Sequence, residues 1–228
     1  SLLAYIEKEI ACEKDMAGLR VLVSAGATRE AIDPVRFITN HSTGKMGRAI
    51  AENCMLRGAH VTLVNASVSV EPPMFVDVVN VTSAADMAEV VKSKAAEQDI
   101  IIMTAAVADF RPSHPADEKI KKKDSSYESV IELERTEDIL SYLGAHKAKG
   151  QLICGFSMET QNMLENSKAK LAKKNADMIV TNNLKVAGAG FGTDTNVVTL
   201  ITADDCTELE IMDKSCVAAR IMDRLLKM

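Results

Sequence analysis

This sequence predicts an α/β fold, doubly wound around a mainly parallel sheet, and three observations carry the prediction. Short β-branched runs recur along the chain with apolar residues at consecutive rather than alternate positions, the pattern of strands covered on both faces. Segments with apolar residues three and four apart lie between them, so strand and helix alternate. Near the C-terminus two apolar runs flank the turn-forming Ala203-Asp204-Asp205-Cys206, which adds an antiparallel hairpin.

At the front, Leu2, Leu3, Ile6 and Ile10 share one helical face, predicting a helix from Leu2 to Lys14. The chain opens Ser1-Leu2-Leu3 without Met, so residues 1–17 read as a linker helix from a longer protein and residues 18–228 as the domain itself. Leu19–Ala25 is the first strand, ended by Gly26. After a long loop, Met46, Ile50 and Cys54 at four-residue steps predict a helix over Met46–Leu56, stopped by Gly58. His60–Asn65 and Val76–Val81 are the next strands, and a helix over Ala84–Ala96, capped by Thr82 or Ser83, leads to a fourth at Asp99–Ala105. Further strands are predicted at Ser129–Leu133, Leu152–Phe156 and Ala176–Thr181, with helices at Glu137–His146 and Met158–Lys174. Val197–Thr202 and Glu208–Met212 form the hairpin, and Ser215–Lys227 closes the chain as a helix. This order is Rossmann-like, and in such sheets ligands bind beyond the carboxyl ends of the strands.

Composition excludes several functions. The 228 residues, 47% apolar and 26% charged, suffice for one sizeable core. No stretch approaches the roughly 20 apolar residues of a membrane span, and no secretory signal opens the chain, so it reads as cytoplasmic with no membrane partner. Five cysteines, odd in number and without a C-x-x-C pair, argue for reduced structural thiols rather than a disulfide framework or zinc. A net charge of -5, with 4% aromatic residues and no Trp, argues against nucleic acid as a partner. Any phosphate site is therefore local.

Three loops carry chemistry. Gly26–Gly47 is too long for a simple strand-to-helix turn and holds Arg36, Asn40, Ser42, Thr43, Gly44 and Lys45. Its Ser42-Thr43-Gly44-Lys45-Met46-Gly47 resembles an anion nest at a helix N-terminus, with glycines for close helix–strand packing as the lesser alternative. Neither the P-loop nor the G-x-G-x-x-G pattern is met. The second loop, Thr104–Pro112, has small residues that let a flat ligand approach, with Asp109 as either a ligand to metal or hydroxyl, or a turn cap. It leads to Asp117-Glu118-Lys119-Ile120-Lys121-Lys122-Lys123, a lysine run that is either a solvated face or a polyphosphate attractor. The third region, Thr181-Asn182-Asn183 and then Gly188–Asn196, reads as turns, with a lining role open to it.

Taken in order, AGATREAIDPVRFITNHSTGKMG, AAVADFRP, EKIKKK, GFSMET and GFGTDTN resemble the phosphopantothenoylcysteine synthetases, in most bacteria the C-terminal half of a bifunctional protein. The resemblance spans nearly the whole chain after Gly18. It implies a ligase of coenzyme A biosynthesis acting on 4′-phosphopantothenate, L-cysteine and CTP with Mg2+, forming an acyl-cytidylate and then an amide. It also implies a homodimer, and a linked decarboxylase whose FMN belongs to a segment outside these residues. Asn40 matches the asparagine that holds the acyl-nucleotide, and Lys119 the lysine that neutralises the triphosphate. Gly26, Ala105, Ala106, Phe156 and Asp109 are implied around the nucleotide, with Asp109 also toward the metal. Arg36 and the lysines are candidates for the 4′-phosphate, and Ser42, Thr43, Gly44 and Lys45 for phosphate generally. Ala27 and Asn183 stand where many relatives have proline and aspartate.

Two rival readings follow from the same pattern. An NAD(P)-dependent oxidoreductase needs a glycine fingerprint that Gly26 lacks and a Tyr-x-x-x-Lys pair that neither Tyr127 nor Tyr142 provides. A non-catalytic regulatory subunit would not require Asn40, Lys45 and Lys119, all of which are present.

Overall fold

The computed structural model describes residues 1–121, 130–158, 163–182 and 192–228. The helices are α1 (Leu2–Ile10), α2 (Lys45–Leu56), α3 (Ala84–Ala95), α4 (Ile139–Ala145), α5 (Met163–Lys174) and α6 (Lys214–Leu225). The strands begin with β1 (Arg20–Ala25), β2 (Arg29–Ala31), β3 (Phe37–Thr39), β4 (His60–Asn65), β5 (Asp77–Asn80), β6 (Ile100–Met103) and β7 (Phe110–Pro112). They continue with β8 (Leu133–Arg135), β9 (Leu152–Met158), β10 (Met178–Asn182), β11 (Thr195–Asn196), β12 (Val198–Ile201), β13 (Cys206–Glu208) and β14 (Met212–Asp213).

Eight strands form the central sheet in the order β13-β12-β10-β9-β6-β1-β4-β5. From β5 to β10 every pairing is parallel, and β12 and β13 then add the antiparallel edge. Alternation along the strands sends side chains to two cores. Val21, Val23, Ile100 and Ile102 meet Ile50 and Cys54 of α2 and Val217, Ile221 and Leu225 of α6. Leu22, Ile101, Met103 and Ile153 meet Met87 and Val91 of α3 and Ile139 and Leu143 of α4. Each fully buried aliphatic side chain stabilises the fold by about 1.5–3 kcal/mol relative to exposure. The doubly wound, mainly parallel sheet is thus the observed architecture, and among the described residues no helix is long and apolar enough to cross a membrane.

Four expectations shift. The front helix ends at Ile10, before the polar Glu13-Lys14-Asp15. The long first loop contains a small antiparallel hairpin, β2 with β3. The strand expected at Ser129–Leu133 lies at Leu133–Arg135 and pairs antiparallel with β7, away from the main sheet, and Ser129 itself falls outside the described residues. The hairpin partner of β12 is Cys206–Glu208 rather than Glu208–Met212, because the turn is tighter: Thr202 Oγ1 accepts from the Asp205 amide at 3.1 Å. Met212 pairs instead with Asn196. Ser83, not Thr82, caps α3, in a capping box with Asp86.

Candidate functional site

The order of parallel strands reverses at β1, which has β4 on one side and β6 on the other. The crevice at their carboxyl ends is the switch point where such sheets bind ligands. A cleft of about 350 Å3 opens there. Residues 42–47, where α2 begins, form one wall, and residues 103–109 after β6 form another. Residues 136–140 leading into α4, Phe156–Met158 at the end of β9, Asn40, Lys170, Asn182, Asn196 and Lys214 complete it.

Backbone pairing makes the floor rigid. Gly26 turns off β1 with φ +86°, and a Cβ there would stand 2.6 Å from the Ser67 carbonyl oxygen. The Ala106 amide donates to Gly26 O at 2.9 Å, the Thr28 amide to Ala106 O at 3.3 Å, and Ala27 exchanges two 3.1 Å bonds with Ser67. The loops after β1, β4 and β6 are therefore one stitched surface. Ser24 Oγ accepts from the Ala105 amide at 3.1 Å, fixing the strand end that small residues line.

Asn40 lies across that surface, its Nδ2 donating to Ala106 O at 3.2 Å. An amide nitrogen carries two N–H groups, so this bond orients the side chain and leaves a second donor for a ligand. The N-terminus of α2 has Gly44 as its cap residue, with no side-chain capping bond and no acid in the first turn. Its amides and dipole thus face the cleft as an anion seat. Close packing operates beside it: a Cβ at Gly47 would lie 2.6 Å from both Ala25 Cβ and Thr104 Oγ1, so the helix rests directly on the ends of β1 and β6.

Lysines gather at the far side. Lys45 Nζ donates to Asp194 Oδ1 at 2.7 Å and to Gly192 O at 2.9 Å. Lys45 beside it holds the Asp194 carboxyl below the usual range. Lys214, 6% exposed, donates to the Thr193 and Thr195 carbonyl oxygens, and burial, then the neighbouring Lys45, pushes its ammonium below the ordinary value. Lys170 Nζ donates to Phe156 O at 3.0 Å, and Asn196 Nδ2 to Asn182 Oδ1 at 3.1 Å. Asp109 is exposed at the cleft, and its carbonyl oxygen accepts from the Thr136 amide at 3.0 Å. Among the described residues no group of three or more His, Cys, Asp or Glu converges to hold a metal.

The cleft brings together Asn40, Ser42, Thr43, Gly44, Lys45, Ala105, Ala106, Asp109 and Phe156 of the residues read from sequence, with Gly26 bonded beneath them. Arg36 and Lys119 are not on its walls. Arg36 Nε donates to Asp33 Oδ2 at 2.9 Å and Nη2 to Ile120 O at 3.0 Å, while the buried Asp33 also accepts from the Ile120 amide at 3.1 Å. This pair docks the segment carrying the exposed Lys119 onto the β2–β3 hairpin, and Arg36 holds the Asp33 carboxyl well below the usual carboxylate range. Lys122, Lys123 and Asn183 lie outside the described residues. Sequence reasoning missed Thr136–Leu140, Lys170 and Lys214, whose surroundings look like ordinary helix starts and helix surface.

The family model of the DNA/pantothenate metabolism flavoprotein C-terminal domain matches residues 16–228. The chain belongs to that family. A protein from Bacillus subtilis (strain 168) named coenzyme A biosynthesis bifunctional protein CoaBC is 46% identical over 229 residues, covering 99% of this chain and 56% of that protein. A protein of an unknown prokaryotic organism named cysteine/cysteine sulfinic acid decarboxylase is 44% identical over 227 residues, covering 99% of this chain and 63% of that one. The chain therefore spans less than two thirds of the length of these relatives. The crystal structure of the C-terminal domain of CoaBC superimposes with a TM-score of 0.78 at 46% identity, covering 93% of this chain and 98% of that domain.

Proposed function

We propose that this domain is a phosphopantothenate–cysteine ligase of coenzyme A biosynthesis, using CTP. The observation that carries the reading is the Asn40 amide, oriented by Ala106 O at the switch point beside an uncapped helix N-terminus. The near-complete match to the C-terminal domain of a protein named for coenzyme A biosynthesis supports it.

A carboxylate is a poor acyl donor because it would have to expel oxide, so it must first be activated. In the first stage a carboxylate oxygen of 4′-phosphopantothenate bonds to the α-phosphorus of CTP and pyrophosphate leaves. In the second, the amine of L-cysteine attacks the acyl carbon, CMP leaves, and the amine proton passes to water. Ala105 and Ala106 backbone groups and the Phe156 ring flank the cytosine, and Gly26 gives their loop its close approach. The α2 amides with Ser42, Thr43, Gly44 and Lys45 take phosphate oxygens. The free donor of Asn40 binds the acyl oxygen and stabilises the charge that develops there. Lys119 neutralises the departing pyrophosphate, and the half-exposed guanidinium of Arg36 offers its outer edge to the 4′-phosphate. Mg2+ keeps water and phosphate ligands and needs few protein carboxylates, so Asp109 fits it, whereas Glu137 and Asp138 on the same cleft are engaged by Lys92 and Lys174; bound there it would supply charge neutralisation. The domain acts as a homodimer in the cytoplasm, within a longer protein whose flavin-dependent decarboxylase segment carries FMN.

The purified domain, given 4′-phosphopantothenate, L-cysteine and CTP, should release pyrophosphate without cysteine and CMP only with it. ATP in place of CTP should turn over more slowly. Absence of nucleotide-dependent pyrophosphate release overturns the reading.

A further inference from the structure

The ion pair at the far side of the cleft does something a phosphate site does not require. Lys45 is the first residue of α2 and stands at the proposed phosphate seat, yet two of its three donors go to Asp194 Oδ1 at 2.7 Å and Gly192 O at 2.9 Å. Its partner is a surface group, since the Asp194 side chain is 87% exposed and that of Lys45 only 26%. A carboxylate offered to an ammonium from the solvent side holds the place a phosphate oxygen would take. The loop that presents it is fixed from beneath: Lys214, 6% exposed, donates through Nζ to the carbonyls of Thr193 and Thr195, on either side of Asp194. The Lys214 amide also donates to Asp194 O at 2.9 Å.

We propose that Asp194 is an internal competitor for the Lys45 ammonium, occupying it between turnovers and exchanging with a nucleotide or pyrophosphate oxygen, with Lys214 as the positioning residue that keeps Asp194 in reach. This inference rests on the phosphate role given to Lys45 above. Its consequence is kinetic: binding phosphate must displace a carboxylate, which weakens the hold on the leaving group and speeds its escape. Exposed pairs of this kind are worth at most about a factor of five in an equilibrium constant, so the device tunes release without preventing binding.

The experiment is titration of the purified domain with inorganic pyrophosphate by calorimetry, in wild type, Asp194→Asn, Lys45→Met and the double variant. Removing the competitor should tighten pyrophosphate binding about three- to fivefold in Asp194→Asn. In the Lys45→Met background the same change should have no effect, and Lys214→Met, which frees the loop, should shrink the response to Asp194→Asn. In turnover, Asp194→Asn should lower KM for the nucleotide and kcat together. Weaker pyrophosphate binding by Asp194→Asn would make it a support of the site and overturn the proposal. Equal tightening in the Lys45→Met background would reduce the effect to general charge and overturn it as well. A wild-type domain that binds no pyrophosphate would instead remove the phosphate assignment of Lys45 itself.

Discussion

The two halves of the segment between β1 and α2 use their polar residues in opposite ways. In the first half, residues 29–39, Glu30 and Asp33 are buried, the Ala84 amide donates to Glu30 Oε1 at 2.9 Å, and Arg36 closes on Asp33. In the second, residues 40–47, Asn40 keeps a donor facing the cleft and the α2 amides have no side-chain cap. The first half uses charge to hold loops to one another, and the second keeps one Asn40 donor and the α2 amides toward the cleft while Lys45 is tied to Asp194 and Gly192. The lesson is that charge in a functional loop does not mark the functional part. The neutral amide and the bare helix end face the cleft, while the buried carboxylate of Asp33 next to them is framework.

Three changes separate these roles, in descending size of effect. Asn40→Asp replaces the donor with a like charge facing the acyl-nucleotide. It should cut ligation about 10²–10³-fold with an unchanged melting curve, read by CMP release and by calorimetry. An equal loss of stability would move Asn40 into the framework. Gly47→Ala places a methyl group 2.6 Å from Ala25 Cβ and Thr104 Oγ1, so α2 must lift off the sheet. That should cost about 1–3 kcal/mol in denaturant unfolding and weaken nucleotide binding in parallel. Asp33→Asn should lower the melting temperature and, by loosening the segment that carries Lys119, reduce kcat by a smaller factor than Asn40→Asp. Because the folded form of Asp33 titrates below its ordinary 3.8, its contribution is present above that pH and is lost as pH falls through the folded value. The variant should therefore show a shallower loss of stability with acid than wild type, measured by thermal melts across that range.

Much of this was legible in the sequence for a physical reason. Strands buried on both faces, such as Ile100–Met103, announce themselves as unbroken apolar runs. The small strands β2, β3, β7 and β8 do not, because three-residue pairs with mostly exposed side chains have no periodicity to read. At the site, Asn40 and residues 42–47 were legible because their pattern is unusual and local. Lys214 was not: its importance comes from burial against a loop about 20 residues earlier in the chain, and a lysine in front of a helix gives no sign of that. The bond from Arg36 to the buried Asp33 was hidden for the converse reason, since nothing in the string Asp33-Pro34-Val35-Arg36 shows that its guanidinium is tied on one edge to a buried acid.

The two cysteines sealed in the core, Cys54 on α2 and Cys154 on β9, gain a further meaning in a protein proposed to take free cysteine as substrate. Burial pushes the Cys54 thiol up to about 12 and the Cys154 thiol higher still. Thiolate is the species that exchanges with disulfides, so these two sulfurs stay out of exchange with cystine and other oxidised forms of the substrate as long as the fold is closed. The core is thereby also an insulator for these two sulfurs, in contrast to Cys216, which the fold leaves exposed.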